Sequence, residues 1–354
     1  MHFASDNWAG AHPAIARALV EQAGGYASAY GTGDLDKAVE RTFCEIFETD
    51  VAVFFVGTGT AANSLALASF NRPGGQVFCH AEAHVNVDEC NAPEFFATGS
   101  KLVPLHGAEG RMAASDLAAA IGRFPPDFVH GGQPMAVTMT QATEAGTVYS
   151  LDEIAAIADV THDAKLPLHM DGARFANALV TLGTTPAEMT WKRGVDILSF
   201  GGTKNGCWCA EALVLFDPAQ ARQMHYLRKR SAQLFSKSRF IAAQFDAYSA
   251  TGCGSNLRPM PTQWPNGSPP GSRPRRPLAL HGRPDRTRSL PSSATTRSAR
   301  SVRRARPSTT GRLRLPSRAA WRRTKRWFGW SPASRPRQTM SILSSPAFDT
   351  EEPC

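Results

Sequence analysis

The chain has 354 residues, 42% of them apolar and 19% charged, which supplies a large core and excludes disorder throughout. No apolar run reaches the roughly 18 to 20 residues of a membrane span, and the opening MHFASDNWAG lacks the basic and apolar regions of a secretory leader, so a cytoplasmic protein without a membrane partner is expected. Of 39 basic and 30 acidic residues, 21 and 4 lie after residue 250, leaving 18 and 26 before it; the net +9 therefore describes a basic tail, not a nucleic-acid-binding fold.

Residues 1–24 read as an N-terminal arm and 25–250 as one large α/β domain. Residues 51–56 form an apolar run closed by GTGT, and 61–69 are rich in helix formers. Cys79, His80, His84 and Cys90 crowd a strand end and its loop, but no second paired set accompanies them, so no metal is expected. Residues 135–140 alternate apolar and small polar side chains. Ser150 and Glu153 stand at capping-box spacing before a helix over 151–161. Strand-like runs at 166–170, 195–200 and 212–216 flank a helix over 174–182. Strand and helix alternating at this spacing predict crossover connections and a mostly parallel sheet covered on both faces. The stretch 225–248 places apolar residues at broadly helical spacing with Arg228, Lys229, Arg230, Lys237 and Arg239 between them. It reads as a core-packed helix with a solvated basic face, a subunit interface being the sharper alternative. Seven scattered cysteines form no secreted disulfide framework, and Cys207 and Cys209 read as ordinary buried thiols.

Three segments carry chemistry. GTGTAAN at 57–63 sits between a strand and a helix; small residues and a helix N-terminus suit a phosphate, though the string matches neither nucleotide-loop pattern. LHMDGAR at 168–174 puts Asp171 at the end of a buried strand, where open α/β sheets collect ligands. SFGGTKNG at 199–206 presents Lys204 in a glycine-rich, weakly charged loop. A desolvated lysine gives up its proton readily and attacks aldehydes. The two glycines and the threonine before it have little evident structural purpose. A phosphate cradle, a strand-end Asp and a loop Lys 33 residues later are together what pyridoxal 5'-phosphate requires.

With FASDN at 3–7, His12-Pro13, His84 before Glu89 and TQATEAGTVY at 140–149, these motifs resemble the L-threonine aldolases. That family lies within the β-eliminating lyase group of fold-type I pyridoxal enzymes. The resemblance implies a PLP-dependent transferase-like large domain and retro-aldol cleavage of L-threonine or related β-hydroxy-α-amino acids, such as phenylserine, to glycine and an aldehyde. It implies Lys204 as the Schiff-base lysine and Asp171 as partner of the pyridinium nitrogen. Gly59 and Thr60 would hold the phosphate, and His84 would stack on the ring and handle the substrate hydroxyl proton. Ser5 and Arg174 would contact the substrate carboxylate or the cofactor hydroxyl, and Arg230 would reach a phosphate across the interface of a homodimer or homotetramer. Where some members carry a second histidine, this chain has Gln141 and Glu144. β-Elimination or transamination on the same cofactor, and a non-enzymatic nucleic-acid binder using the tail, are the competing readings.

The resemblance stops near residue 250, where the family continues into a small α/β domain. Here 15 of the chain's 25 prolines and a net charge of +17 follow, the composition of a disordered arm. A shifted reading frame fits better. Codons for residues 260–265 (MPTQWP), displaced by two bases, allow Ala-Asn-Ala-Met-Ala; those for 327–332 (WFGWSP) allow Val-Arg-Leu-Val-Ala in the same frame. The second string is strand-like and restores the arginine the family uses for the substrate carboxylate.

Overall fold

A computed structural model describes residues 5–250. The tail at 251–354, and with it the frameshift reading, lies outside the described residues. In chain order the elements are α1 (Pro13–Glu21), α2 (Asp34–Phe47), β1 (Ala52–Val56), α3 (Gly59–Ser69), β2 (Gly75–His80), α4 (His84–Val87), α5 (Ala92–Phe96) and β3 (Lys101–Leu105). There follow α6 (Ala114–Ile121), β4 (Gln133–Thr140), α7 (Leu151–Asp163), β5 (Leu168–Gly172), α8 (Phe175–Leu182), α9 (Pro186–Met189), β6 (Ile197–Gly201), β7 (Glu211–Leu215), α10 (Ala221–Arg230) and α11 (Arg239–Tyr248).

The seven strands form one sheet in the order β1-β7-β6-β5-β4-β2-β3. Pairing is parallel from β6 through β5, β4 and β2 to β3. Only β7 runs against its neighbours β6 and β1. A short loop after β6 leaves no room for a crossover helix, so the chain must turn back antiparallel. Helices cover both faces, and β1 shows how: Val53 and Phe55 enter one core cluster, Phe54 and Val56 the other, as the period-2 pleat requires. One cluster is aromatic, with Phe43 set edge-on to Phe200 and Phe245 at ring separations of 5.4 Å each.

The capping box forms in both directions: Ser150 Oγ accepts from the Glu153 N–H, and the Glu153 carboxylate accepts from the Ser150 N–H at 2.7 Å. β2 and β3 carry the weakest sequence signal. Gln76 and His80 interrupt β2, and Pro104 stands in β3, which pairs only with β2; an edge strand tolerates a missing N–H. The stretch 225–248 is two helices, not one, because Ala232 takes a left-handed φ of 61° between α10 and α11. Its basic face is also only partly solvated: Arg228 is buried, with its guanidinium 5.2 Å from the Phe54 ring centre. α1 docks a fully buried Ile15 into the main core.

Candidate active site

The strand ends, the first turn of α3 and the loop after β6 surround a cleft of about 260 Å³. Asn7, Gly57, Thr58, Gly59, Thr60, Asn63, His84, Glu144, Asp171, Arg174, Lys204 and Glu211 all line it. Thr58 caps α3 by accepting the Ala61 N–H at 3.1 Å, and the Gly57 N–H is given to Gln233 Oε1 at 3.0 Å. The amides of Gly59 and Thr60, in the first turn, then face the cleft with the positive end of the helix behind them.

Asp171, at the last turn of β5, is buried and doubly held. Oδ2 accepts from Asn63 Nδ2 at 2.8 Å, and Oδ1 from the Ala173 N–H at 3.0 Å. The same Asn63 amide donates to Glu89 Oε1 at 2.9 Å, and that oxygen also meets His84 Nδ1 at 2.9 Å. A continuous chain His84–Glu89–Asn63–Asp171 therefore crosses the floor. The Glu89 hydrogen bond raises the His84 pKa above its ordinary value, against partial desolvation. Burial pushes the Glu89 and Glu144 carboxyls up in turn. Glu144 Oε1 accepts the His84 backbone N–H at 2.9 Å.

Lys204 lies in the helical turn Thr203–Asn205 that directly follows β6. Among the described residues its ammonium has no hydrogen-bond or ion-pair partner. The turn is fastened on every side. Glu211 Oε2 accepts the Gly202 N–H at 3.1 Å, Asn205 Nδ2 donates to Gly201 O at 2.9 Å, and Gly206 O accepts the His12 N–H at 2.8 Å. The expectation that the preceding residues lack a structural purpose is corrected here. A Cβ at Gly201 would lie 2.6 Å from Ala173 O, and one at Gly202 2.5 Å from Ala210 O. Thr203 Oγ1 accepts the Ala210 N–H at 3.3 Å.

Six of the eight residues given roles from the sequence, Gly59, Thr60, His84, Asp171, Arg174 and Lys204, line this one cleft. Ser5 stands one step back: its Oγ accepts the Asn7 N–H at 3.2 Å and so caps the turn Asp6–Trp8, which brings Asn7 to the wall. Arg174 makes a two-pronged pair with Asp6, at 2.7 and 3.2 Å. Gln141 is fully buried and brackets the Tyr149 backbone at 3.0 Å in both directions, whereas Glu144 reaches the cleft. Arg230 is exposed at the end of α10, its Nε on Tyr226 O at 3.3 Å. Asn63, Glu89 and Glu211 were given no role from the sequence. The first closes the GTGTAAN string and the second follows His84 by five residues, so a signal existed; Glu211 had none. No group of three or more His, Cys, Asp or Glu among the described residues is placed to hold a metal ion.

The sequence profile of the Beta-eliminating lyase family matches residues 2–322. The chain belongs to this family. The family match runs past residue 250, where the motif-by-motif resemblance ends. As a beta-eliminating lyase, the chain is similar to the low specificity L-threonine aldolase of Pseudomonas aeruginosa, 46% identical over 242 residues, or 68% of this chain and 69% of that one. Its fold resembles the threonine aldolase of Leishmania major, with a TM-score of 0.66 at 26% identity over 72% of each chain. The aspartate aminotransferase of Thermus thermophilus, at a TM-score of 0.52 and 16% identity over 69% of this chain and 62% of that one, shares the fold alone. This beta-eliminating lyase thus has the fold-type I, PLP-dependent transferase-like architecture, and no described helix is long and apolar enough to cross a membrane.

Proposed function

We propose that the cleft cleaves L-threonine and related β-hydroxy-α-amino acids, phenylserine among them, to glycine and an aldehyde with pyridoxal 5'-phosphate. The carrying observation is the convergence of Asp171, His84, Lys204 and the first turn of α3 on one cleft. The residues fit the cofactor. A buried carboxylate accepting two N–H bonds is positioned to hold a protonated ring nitrogen. A Cβ at Gly59 would meet nothing within 4 Å, so the turn stays open beside free amides. Pyridoxal 5'-phosphate, when bound, supplies an aldehyde carbon for amine exchange and a ring that takes up an electron pair released at Cα.

The roles of the side chains follow. Lys204 Nζ would be the amine that holds the cofactor's aldehyde carbon. The amides of Gly59 and Thr60 would hold its phosphate. With His84 Nδ1 occupied by Glu89, Nε2 is left to accept the β-hydroxyl proton as the Cα–Cβ bond breaks and the Cβ–O bond becomes a carbonyl. Glu144, on the same wall, orients His84 through its backbone amide. Arg174, steered by Asp6, faces the substrate carboxylate or the cofactor hydroxyl, and Ser5 acts through the Asn7 turn.

A homodimer or homotetramer belongs to the same proposal. It is supported by Trp8 and Trp208, exposed at 67% and 66%, and by Arg230 lying outside this protomer's own cleft. Sedimentation of the purified chain as a monomer would remove it. The activity test is product analysis with threonine and phenylserine. Glycine plus aldehyde is expected from the chain with its C-terminal reading frame restored, with Lys204→Ala reducing that turnover by at least about 10³-fold. Pyruvate plus ammonia would replace the reading with β-elimination, and a keto acid with transamination.

A further inference from the structure

The mechanism above leaves Glu211 unused, although it lines the cleft and is 6% exposed. It opens β7, and its Cα pairs with Gly201 on one side and Val56 on the other. Those two residues lead directly into the Lys204 turn and the Gly57–Thr60 turn. A carboxyl group therefore stands between the lysine loop and the proposed phosphate cradle, the worst position for a fixed negative charge if a phosphate binds. We infer that Glu211 enters the cofactor-loaded cleft as the neutral acid, so that cofactor binding takes up a proton at this side chain and loosens where that proton is lost. This rests on the functional reading above.

The surroundings support it. Burial holds the Glu211 carboxyl up to about 7, against hydrogen bonds from Thr203 and the Gly202 amide, with Asp171 adding repulsion. β1 and α3, which pack beside it, contain no titratable residue. The charged and titratable groups sharing its cleft are Asp171 from β5, Lys204 after β6, and His84, Glu144 and Arg174 on the other walls. Cys209, two residues before it, has its own thiol raised by burial and by Glu211. A phosphate monoester brings about 1.5 to 2 negative charges at neutral pH. Like charges sharing a desolvated site raise each other's proton affinity, so loading the cleft favours the protonated form of Glu211. As a neutral acid, Glu211 continues to accept the Gly202 N–H and hold the lysine turn. It is a positioning residue, not a catalytic one.

The test is the dissociation constant of pyridoxal 5'-phosphate for the full chain, read from its absorbance between pH 6 and 8.5, for wild type and Glu211→Gln. The ratio of wild-type to variant Kd is expected to rise with pH above 7, by up to about tenfold per unit. Calorimetric titration of the wild type in two buffers of different ionisation enthalpy is expected to register proton uptake on binding near pH 8, and this needs no variant to fold. A pH-independent ratio, or no proton uptake, overturns the inference while leaving the functional reading intact. No absorbance change with the wild type overturns both.

Discussion

The amide of Asn63 is shared by two carboxylates, Glu89 and Asp171, at 2.9 and 2.8 Å, and this sharing ties the proposed base to the cofactor partner. The hydrogen bond to Glu89 is the largest cause of the raised His84 pKa and the Glu89 charge adds to it, so replacing the carboxylate by an amide weakens both. Because a protonated His84 has no lone pair at Nε2, activity falls as pH drops through that pKa. The acid limb of kcat/KM for threonine is therefore expected above pH 6.5, the ordinary histidine value. In Glu89→Gln it should move downward; a limb that stays in place would detach His84 from the rate. Gly201 makes a separate point at this scale. A Cβ there meets the carbonyl, Cα and C atoms of Ala173 at 2.6 to 2.8 Å, all backbone and unable to swing away. Gly201→Ala is expected to cost about 1 to 3 kcal/mol in denaturant unfolding and to displace the Lys204 turn.

At the scale of elements, the three chemistry-bearing segments fall where β1, β5 and β6 end, and other elements brace them. His12 caps α1 by accepting the Ala14 N–H at 3.2 Å, with Pro13 at the first helical position, and its own N–H fastens the lysine loop. The capping box at Ser150 is local and solvent-exposed, so Ser150→Ala should cost only about 1 kcal/mol. Phe47 is fully buried and its ring lies 5.3 to 6.5 Å from those of Phe43, Phe175, Phe200 and Phe216. Phe47→Ala should cost about 3 to 5 kcal/mol, several times the cap. Thermal melts of the two variants side by side would check that order. Five of the seven strands were legible in the sequence as short apolar runs set between helix-like segments, three of them closed by glycine-containing turns. β2 and β3 were less so, since buried Gln76 and His80 and an edge proline blur the pattern.

At the scale of the whole molecule, the proposed cofactor residues all precede residue 250, whereas the resemblance implies a further arginine for the substrate carboxylate after it. We propose that the sequence after residue 250 is read out of frame. The chain as written is then expected to capture the cofactor on Lys204, trapped by borohydride, with little aldolase turnover and reduced stability. Restoring the frame by a two-base shift near residue 250 should raise turnover by at least about 10²-fold. Turnover of the chain as written equal to that of the restored one would refute the frameshift reading, as would DNA resequencing that supports the present frame together with normal activity.

Sequence alone determined the fold class and the cofactor, and it pointed to the segments proposed here to carry the chemistry. A strand-end Asp, a loop Lys and a small-residue turn are dictated by local backbone geometry and residue type, and both are written in short strings. The partners of those residues were decided only by the tertiary structure. Arg174 finds Asp6 across 168 positions, Asn63 finds Asp171 across 108, and Glu211 reaches the cleft because β7 turns back between β6 and β1. Such meetings depend on strand order and on which face of the sheet each side chain takes. Neither is a property of any short stretch of chain.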